Sequence, residues 1–181
     1  MNDQSWKLLK EFGIEFEKGL TLDEIMKIEK IYEIKFPDSL RDFFMIALPT
    51  SKGFYNWRNT EEDNVKLIKE VMNRPLDDIA EMANEVYWCD DWGDEPETEE
   101  GIAQEVRKRL EYAPKLLPIY AHRYMPMVID KNPPIISVHD IDVIYYGKDI
   151  EDYFDIEFGE KKQSTIEFEN IKPIQFWTEI M

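Results

Sequence analysis

Apolar positions recur along this chain with two different periods, and the switch between them divides it. Leu22, Ile25, Ile28 and Tyr32 lie three or four apart, the spacing of one face of a helix, and Thr21 with Glu24 has the spacing of a capping box. Ile34-Lys35-Phe36-Pro37 interrupts this pattern. The proline disfavours a helical Phe36 and suits the start of a second helix, whose apolar side is Leu40, Phe43, Phe44 and Ala47. Upstream, residues 1–19 are amphipathic, with Trp6, Leu9 and Phe12 on a short helix or arm ended at Gly13. Downstream, Thr60 is placed to cap a third helix carrying Val65, Leu67, Ile68, Val71 and Met72, with Glu61, Glu62 and Asp63 at its positive end. Arg74-Pro75 is expected to break it and to open a fourth helix with Leu76, Ile79, Met82, Ala83 and Val86. A further helix starts at Thr98 or Glu99 and runs to about Tyr112, with Ile102, Ala103, Val106 and Leu110 inward and Arg107, Lys108 and Arg109 near its negative end.

Beyond Pro114 the period becomes that of strands. Leu116–Tyr120 reads as a strand, 122–126 as a loop and Met127–Asp130 as a second strand, with Asn132-Pro133-Pro134 turning the chain. Ile135, Ile136 and Val138 form a β-branched run interrupted by His139, Asp140 and Asp142. Val143–Tyr146 forms another, ended by Gly147. Ile150, Tyr153, Phe154 and Phe158 then return to helical spacing behind Asp149, a good N-cap. A short strand is expected over Thr165–Phe168. Ile171, Ile174, Phe176, Trp177 and Ile180 make a final apolar segment that must dock, because exposed it would be a sticky patch. Successive short strands with tight turns imply an antiparallel meander. The expected architecture is therefore α+β: N-terminal helices packed on a mostly antiparallel sheet from the C-terminal half, in one domain over residues 1–181, with a helical insertion at about 60–112.

Charge alters the functional picture more than composition does. With 39 acidic and 22 basic residues the net charge is −17, which disfavours nucleic-acid backbones and anionic membrane surfaces as partners and favours a basic protein. Solubility alone also accounts for such a charge. At 181 residues the chain can bury roughly 70% of its unfolded surface and needs no staples. Its single cysteine, Cys89, allows no internal disulfide and fits a reducing, cytoplasmic setting. The first residues lack the basic and apolar regions of a signal peptide, and no apolar run approaches a membrane span.

Two stretches stand out as possible contact surfaces. Trp57-Arg58, within FYNWRN, has the composition of an interaction anchor, although a tryptophan there more often belongs to the core. Between Asp90 and Glu100 lie seven acids and no base, with Trp88 and Trp92 flanking the first of them. This loop reads in three ways: an acidic and aromatic protein-binding loop, a hard-metal site, or a solvated lead-in to the next helix. Its spacing does not match an EF-hand.

Catalytic devices are scarce. The two histidines, His122 and His139, have no zinc-type spacing, and no phosphate-binding glycine loop is present. His139-Asp140 is more readily a turn than a base with its orienting carboxylate. A Cys89–His139 pair is disfavoured by the seven neighbouring carboxylates, which oppose a thiolate. No cofactor is implied.

Several of these stretches together resemble the SUKH superfamily, the Smi/Knr-like domains. They are the capped helix containing Glu29, the Phe36-Pro37 corner, the LLPIYAHRYMPMVID segment and the following PIISVHDIDVIYYGKDIEDYFDIEF. The match covers roughly residues 20–50 and 115–158. It departs from the family at Leu48–Phe54, where an Asn-Gly or Gly-Gly turn is usual and Gly53 takes that role. The resemblance implies a non-catalytic binding module: a bacterial immunity protein that neutralises a toxin, such as a nuclease, by direct binding. It equally admits a regulatory scaffold like the yeast regulators of cell-wall glucan synthesis. A small hydrolase using acidic residues is the remaining alternative, and it calls for a concave pocket holding a carboxyl of raised pKa. For the binding reading, the candidate contact residues are Trp57, Arg58, Trp88, Asp90, Asp91, Trp92, Asp94 and Glu95.

Overall fold

The computed structural model describes all 181 residues. Helix α1 (Asp3–Glu11) starts at Asn2, whose side chain accepts from the Ser5 N–H at 2.9 Å, and gives way to Gly13 at φ +92°. Strand β1 (Phe16–Lys18) pairs antiparallel with β2 (Ala47–Pro49). That ribbon takes Ala47 out of the helix in which its apolar spacing places it.

Helix α2 (Leu22–Tyr32) carries the expected capping box: Thr21 Oγ1 accepts from the Glu24 N–H at 3.2 Å, and the Glu24 carboxylate accepts from the Thr21 N–H at 2.8 Å. The Phe36-Pro37 corner is closed from inside by Glu29. This carboxylate is buried, accepts from the Phe36 N–H at 3.1 Å, and pairs with the Lys35 ammonium. A buried charge must be paired and hydrogen-bonded to be tolerated, and Glu29 is both. Pro37 occupies the cap of α3 (Asp38–Ile46).

Helix α4 (Glu62–Glu81) departs from expectation twice. Its cap is Glu61, not Thr60, whose hydroxyl instead accepts from the Lys27 ammonium at 2.9 Å. Pro75 lies inside the helix and does not divide it. A proline at this position removes the N–H that would serve the carbonyl four residues back, here Val71. Tyr124, on the sheet below, points its hydroxyl at that same carbonyl at 3.4 Å. Tertiary packing thus supplies the donor that the proline lacks. Helix α5 (Glu99–Leu110) is capped by Thr98, which accepts from the Gly101 N–H at 3.1 Å.

Strands β3 (Leu116–Tyr120), β4 (Arg123–Pro126), β5 (Ile135–His139) and β6 (Asp142–Gly147) form an antiparallel meander in that order. The second of them corrects the expected loop at 122–126 and strand at 127–130. Ala121 adopts φ +47°, so the chain reverses at once and Tyr120 faces Arg123. Beyond Pro126, the Val128 and Asp130 N–H groups bond back two residues, which coils the segment out of the ladder and leaves Ile129 fully exposed. Helix α6 (Ile150–Glu157) is capped by Asp149, which accepts from the Asp152 N–H at 2.8 Å. Residues 165–168 form no strand. Two 3₁₀ turns, Gln163–Thr165 and Phe168–Asn170, flank the buried Ile166. The last apolar segment docks, with Ile174, Phe176, Trp177 and Ile180 buried and the Trp177 indole donating to the Pro114 carbonyl at 2.8 Å.

The molecule is α+β, and its sheet is covered on both faces. Leu117, Ile119, Met125 and Ile135 face one core with the apolar sides of α1, α2, α3 and α6. Leu116, Tyr124, Ile136, Val138 and Val143 face a second core, built from α4, α5 and the C-terminal segment. Helix α4 serves both, with Ile68 and Met72 in the first and Val71 and Ile79 in the second. Helices α4 and α5, within 60–112, supply much of the second core.

Candidate functional site

The acidic loop emerges between α4 and α5, over the second core. Asp90–Trp92 forms one 3₁₀ turn, and two indoles fix its shape. Trp88 donates to the Gly93 carbonyl at 2.8 Å, closing the loop on itself. Trp92 donates to the Glu179 carboxylate at 2.8 Å, stacks on Phe176 at 6.2 Å and carries the Arg109 guanidinium 4.7 Å above its ring. The two indoles meet edge to face at 5.3 Å. Trp92 is thus chiefly a clamp between the loop and the C-terminal segment, while Trp88 leaves part of its ring open.

The acids of this loop point outward. Asp90, Asp91, Asp94 and Glu95 are exposed, and none of the seven acids between Asp90 and Glu100 takes part in an ion pair. Their like charges are spread over a surface whose backbone is held by the indoles, so a basic partner would meet them without first ordering the loop. Nowhere in the molecule do three His, Cys, Asp or Glu side chains converge closely enough to hold a metal ion.

Two of the candidate contact residues lie elsewhere and do other work. Trp57 has no exposed surface. It sits edge to face with Tyr32 and Phe36, both at 5.2 Å, in the first core, and no partner can reach it. Arg58 is saturated from within. Its guanidinium donates to Glu24 at 2.8 Å, Glu17 at 2.9 Å and the carbonyls of Lys18 and Gly19 at 2.7 and 3.0 Å. It holds the Glu24 carboxyl at about 2, with the Thr21 N–H helping. This fork ties the capping box to the ribbon, which is a structural use of the residue. Both therefore leave the contact surface, and Trp88, Asp90, Asp91, Trp92, Asp94 and Glu95 remain on one loop.

A second site was not legible as such in the sequence. The hairpin tips β3–β4 and β5–β6 lie side by side against α4 and bring the two histidines together, with ring centroids 5.7 Å apart. Between tips and helix is a cleft of about 310 Å³ lined by Tyr55, Arg74, Pro75, Asp78, Tyr124 and the tip residues His122, His139 and Asp140. Burial, then the nearby Asp140, pushes the Asp78 carboxyl above the usual range. Burial, then Arg123 and His139, lowers His122. Asp140 lies 3.3 Å from its neighbour His139, both well exposed, at the left-handed tip of its hairpin with φ +53°. Cys89 does not line this cleft. The cleft is concave and holds a raised carboxyl, the two features that the hydrolase alternative calls for. The signal that pointed to it was the placing of both histidines at turns. The reading of 123–126 as a loop hid that these turns are adjacent.

No family model, curated protein or solved structure matches this chain.

Proposed function

We propose that this protein is a binding module of the SUKH type, an immunity protein that neutralises a toxin by direct contact, with the acidic loop as its principal contact surface. The observation that carries the reading is the unpaired acid face of that loop, Asp90, Asp91, Asp94 and Glu95, on a backbone pinned by Trp88 and Trp92. A toxin acting on nucleic acid presents a basic groove, and a protein of net charge −17 meets it with favourable long-range steering. The resemblance in residues 20–50 and 115–158 supports the same class. The direct test is to ask whether a toxin-like domain is encoded beside this protein's gene and to titrate the protein calorimetrically with that domain where it is. Tight one-to-one binding that weakens with salt supports the reading. Binding that is absent, or insensitive to charge reversal at Asp90, Asp91 and Asp94, contradicts it.

A further inference from the structure

The cleft between α4 and the two hairpin tips has a charge pattern that points to a particular occupant. Two carboxylates, Asp78 from the helix and Asp140 from the β5–β6 tip, face it, and neither is bonded to a lysine or arginine. Asp140 has only the His139 imidazole, which is a cation partner only when protonated. Burial, then Asp140, with smaller parts from Asp77 and Glu81 on the helix, disfavours ionisation of Asp78. Arg74, one turn earlier on α4, is the one fixed cation at the rim. It is exposed, lies outside every ion pair in the molecule, and only partly offsets the acids.

The remaining walls suit the stem and flat head of a long basic side chain. Tyr55 and Tyr124 are aromatic, and Pro75 and Val138 are apolar. The Tyr55 hydroxyl is committed to the Ala121 carbonyl at 2.7 Å and the Tyr124 hydroxyl to Val71, so both rings are fixed in place. Aromatic faces with adjacent carboxylates are the standard environment of a bound guanidinium. A volume of about 310 Å³ lies at the small end of ligand sites, enough for one side chain and too small for an extended peptide.

We infer that this cleft is a receptor for a single basic side chain, arginine foremost, presented by a protein partner, with Asp78 and Asp140 pairing its charge and Tyr55 lining its stem. The inference rests on the proposed binding function only for the source of the side chain. The cleft's own preference for a cation can be measured without any partner.

The test is an NMR titration of the intact protein with argininamide, following the imidazole signals of His122 and His139. Citrullinamide, its uncharged analogue, serves as the control, and inorganic phosphate as the opposite charge. The expected result is saturable shifts with argininamide and none with citrullinamide or phosphate. Asp78→Asn and Asp140→Asn should each weaken binding about threefold to fivefold, as loss of a partly exposed charge pair does. Asparagine tolerates the left-handed backbone at 140, so that variant keeps the hairpin tip. Arg74→Ala should tighten binding by a similar factor, a gain that misfolding cannot mimic. Equal shifts with citrullinamide, a response to phosphate instead, or weaker argininamide binding by Arg74→Ala would overturn the inference. So would turnover of ester or glycoside substrates abolished by Asp78→Asn, which would make the cleft an active site. Loss of toxin binding on charge reversal of the loop, with argininamide binding intact, would separate the two surfaces.

Discussion

The two faces of the sheet are built in different ways, and the difference explains what each can do. The first core is closed by α1 to α3 from the start of the chain and by α6 directly after the meander, and it is dense in rings: Phe36, Phe43, Phe44, Trp57, Tyr153, Phe154 and Phe158. Edge-to-face and tilted pairs such as Phe43–Phe154 at 5.1 Å knit it together. The second core joins α4 and α5 to residues 174–180, and its contents are mostly aliphatic apart from Tyr124, Phe176 and Trp177. Its outer parts are tied by a few polar clasps, Trp92 to Glu179, Trp177 to Pro114 and Arg107 to the Ala80 carbonyl at 3.0 Å. Both candidate surfaces, the acidic loop and the histidine cleft, belong to this second side.

Substitutions can break this contrast, and the largest effect is expected in the first core. Trp57→Ala should cost about 3–5 kcal/mol in denaturant unfolding, the range for removing a fully buried aromatic. A loss of partner binding with unchanged stability would instead restore Trp57 as a surface anchor. On the other side, Trp92→Ala removes a stacked, half-buried ring and one hydrogen bond, and should cost about 1–2 kcal/mol. Native-state hydrogen exchange should show residues 174–180 opening more easily while the amides of α2 and α3 keep their protection. Equal loosening of both layers would mean that they are one cooperative unit.

The proline in α4 allows a sharper test. Tyr124→Phe removes the donor to the Val71 carbonyl and should cost about 1 kcal/mol. In a Pro75→Ala background the restored N–H serves that carbonyl, and the same tyrosine substitution should cost close to nothing. An unchanged cost in the double-mutant cycle would show that the hydroxyl does not compensate for the proline.

The smallest expected effect concerns the capping box. Glu24→Gln keeps a capping-box residue but loses the charge that pairs with Arg58, and should cost about 0.5 kcal/mol near neutral pH. The folded-state pKa of Glu24, about 2, lies below its ordinary value of 4.5, so the stabilisation is complete above about pH 4.5 and is lost as pH falls towards 2. The difference between wild type and variant should shrink over that window. A difference that stays constant with pH would remove the Arg58–Glu24 pair from the account.

The same contrast governs how much could be read from the sequence. The first layer announces itself through local rules: the Thr21–Glu24 box, the Phe36-Pro37 corner, the Asp149 cap and helical spacing all appear as expected. The second depends on contacts distant in the chain. Pro75 reads as a helix breaker until Tyr124, 49 positions on, is seen beside its orphan carbonyl. Arg123–Pro126 reads as a loop because Ala121 has no turn signature, yet adopts φ +47° to make the hairpin. Of the candidate contact residues, the acids of the loop are exposed. Trp57 is buried and Arg58 is bonded within the fold; a tryptophan beside an arginine has the same composition whether it anchors a partner or a core.

The most direct measurement is the affinity of the triple variant Asp90→Lys, Asp91→Lys, Asp94→Lys for the basic toxin domain proposed as its partner, compared with wild type at two salt concentrations. Binding should fall by about a hundredfold or more, since three attractive rim charges become repulsive, and the wild-type salt dependence should flatten. Unchanged affinity in a variant that still folds would contradict the assignment of this loop as the contact surface.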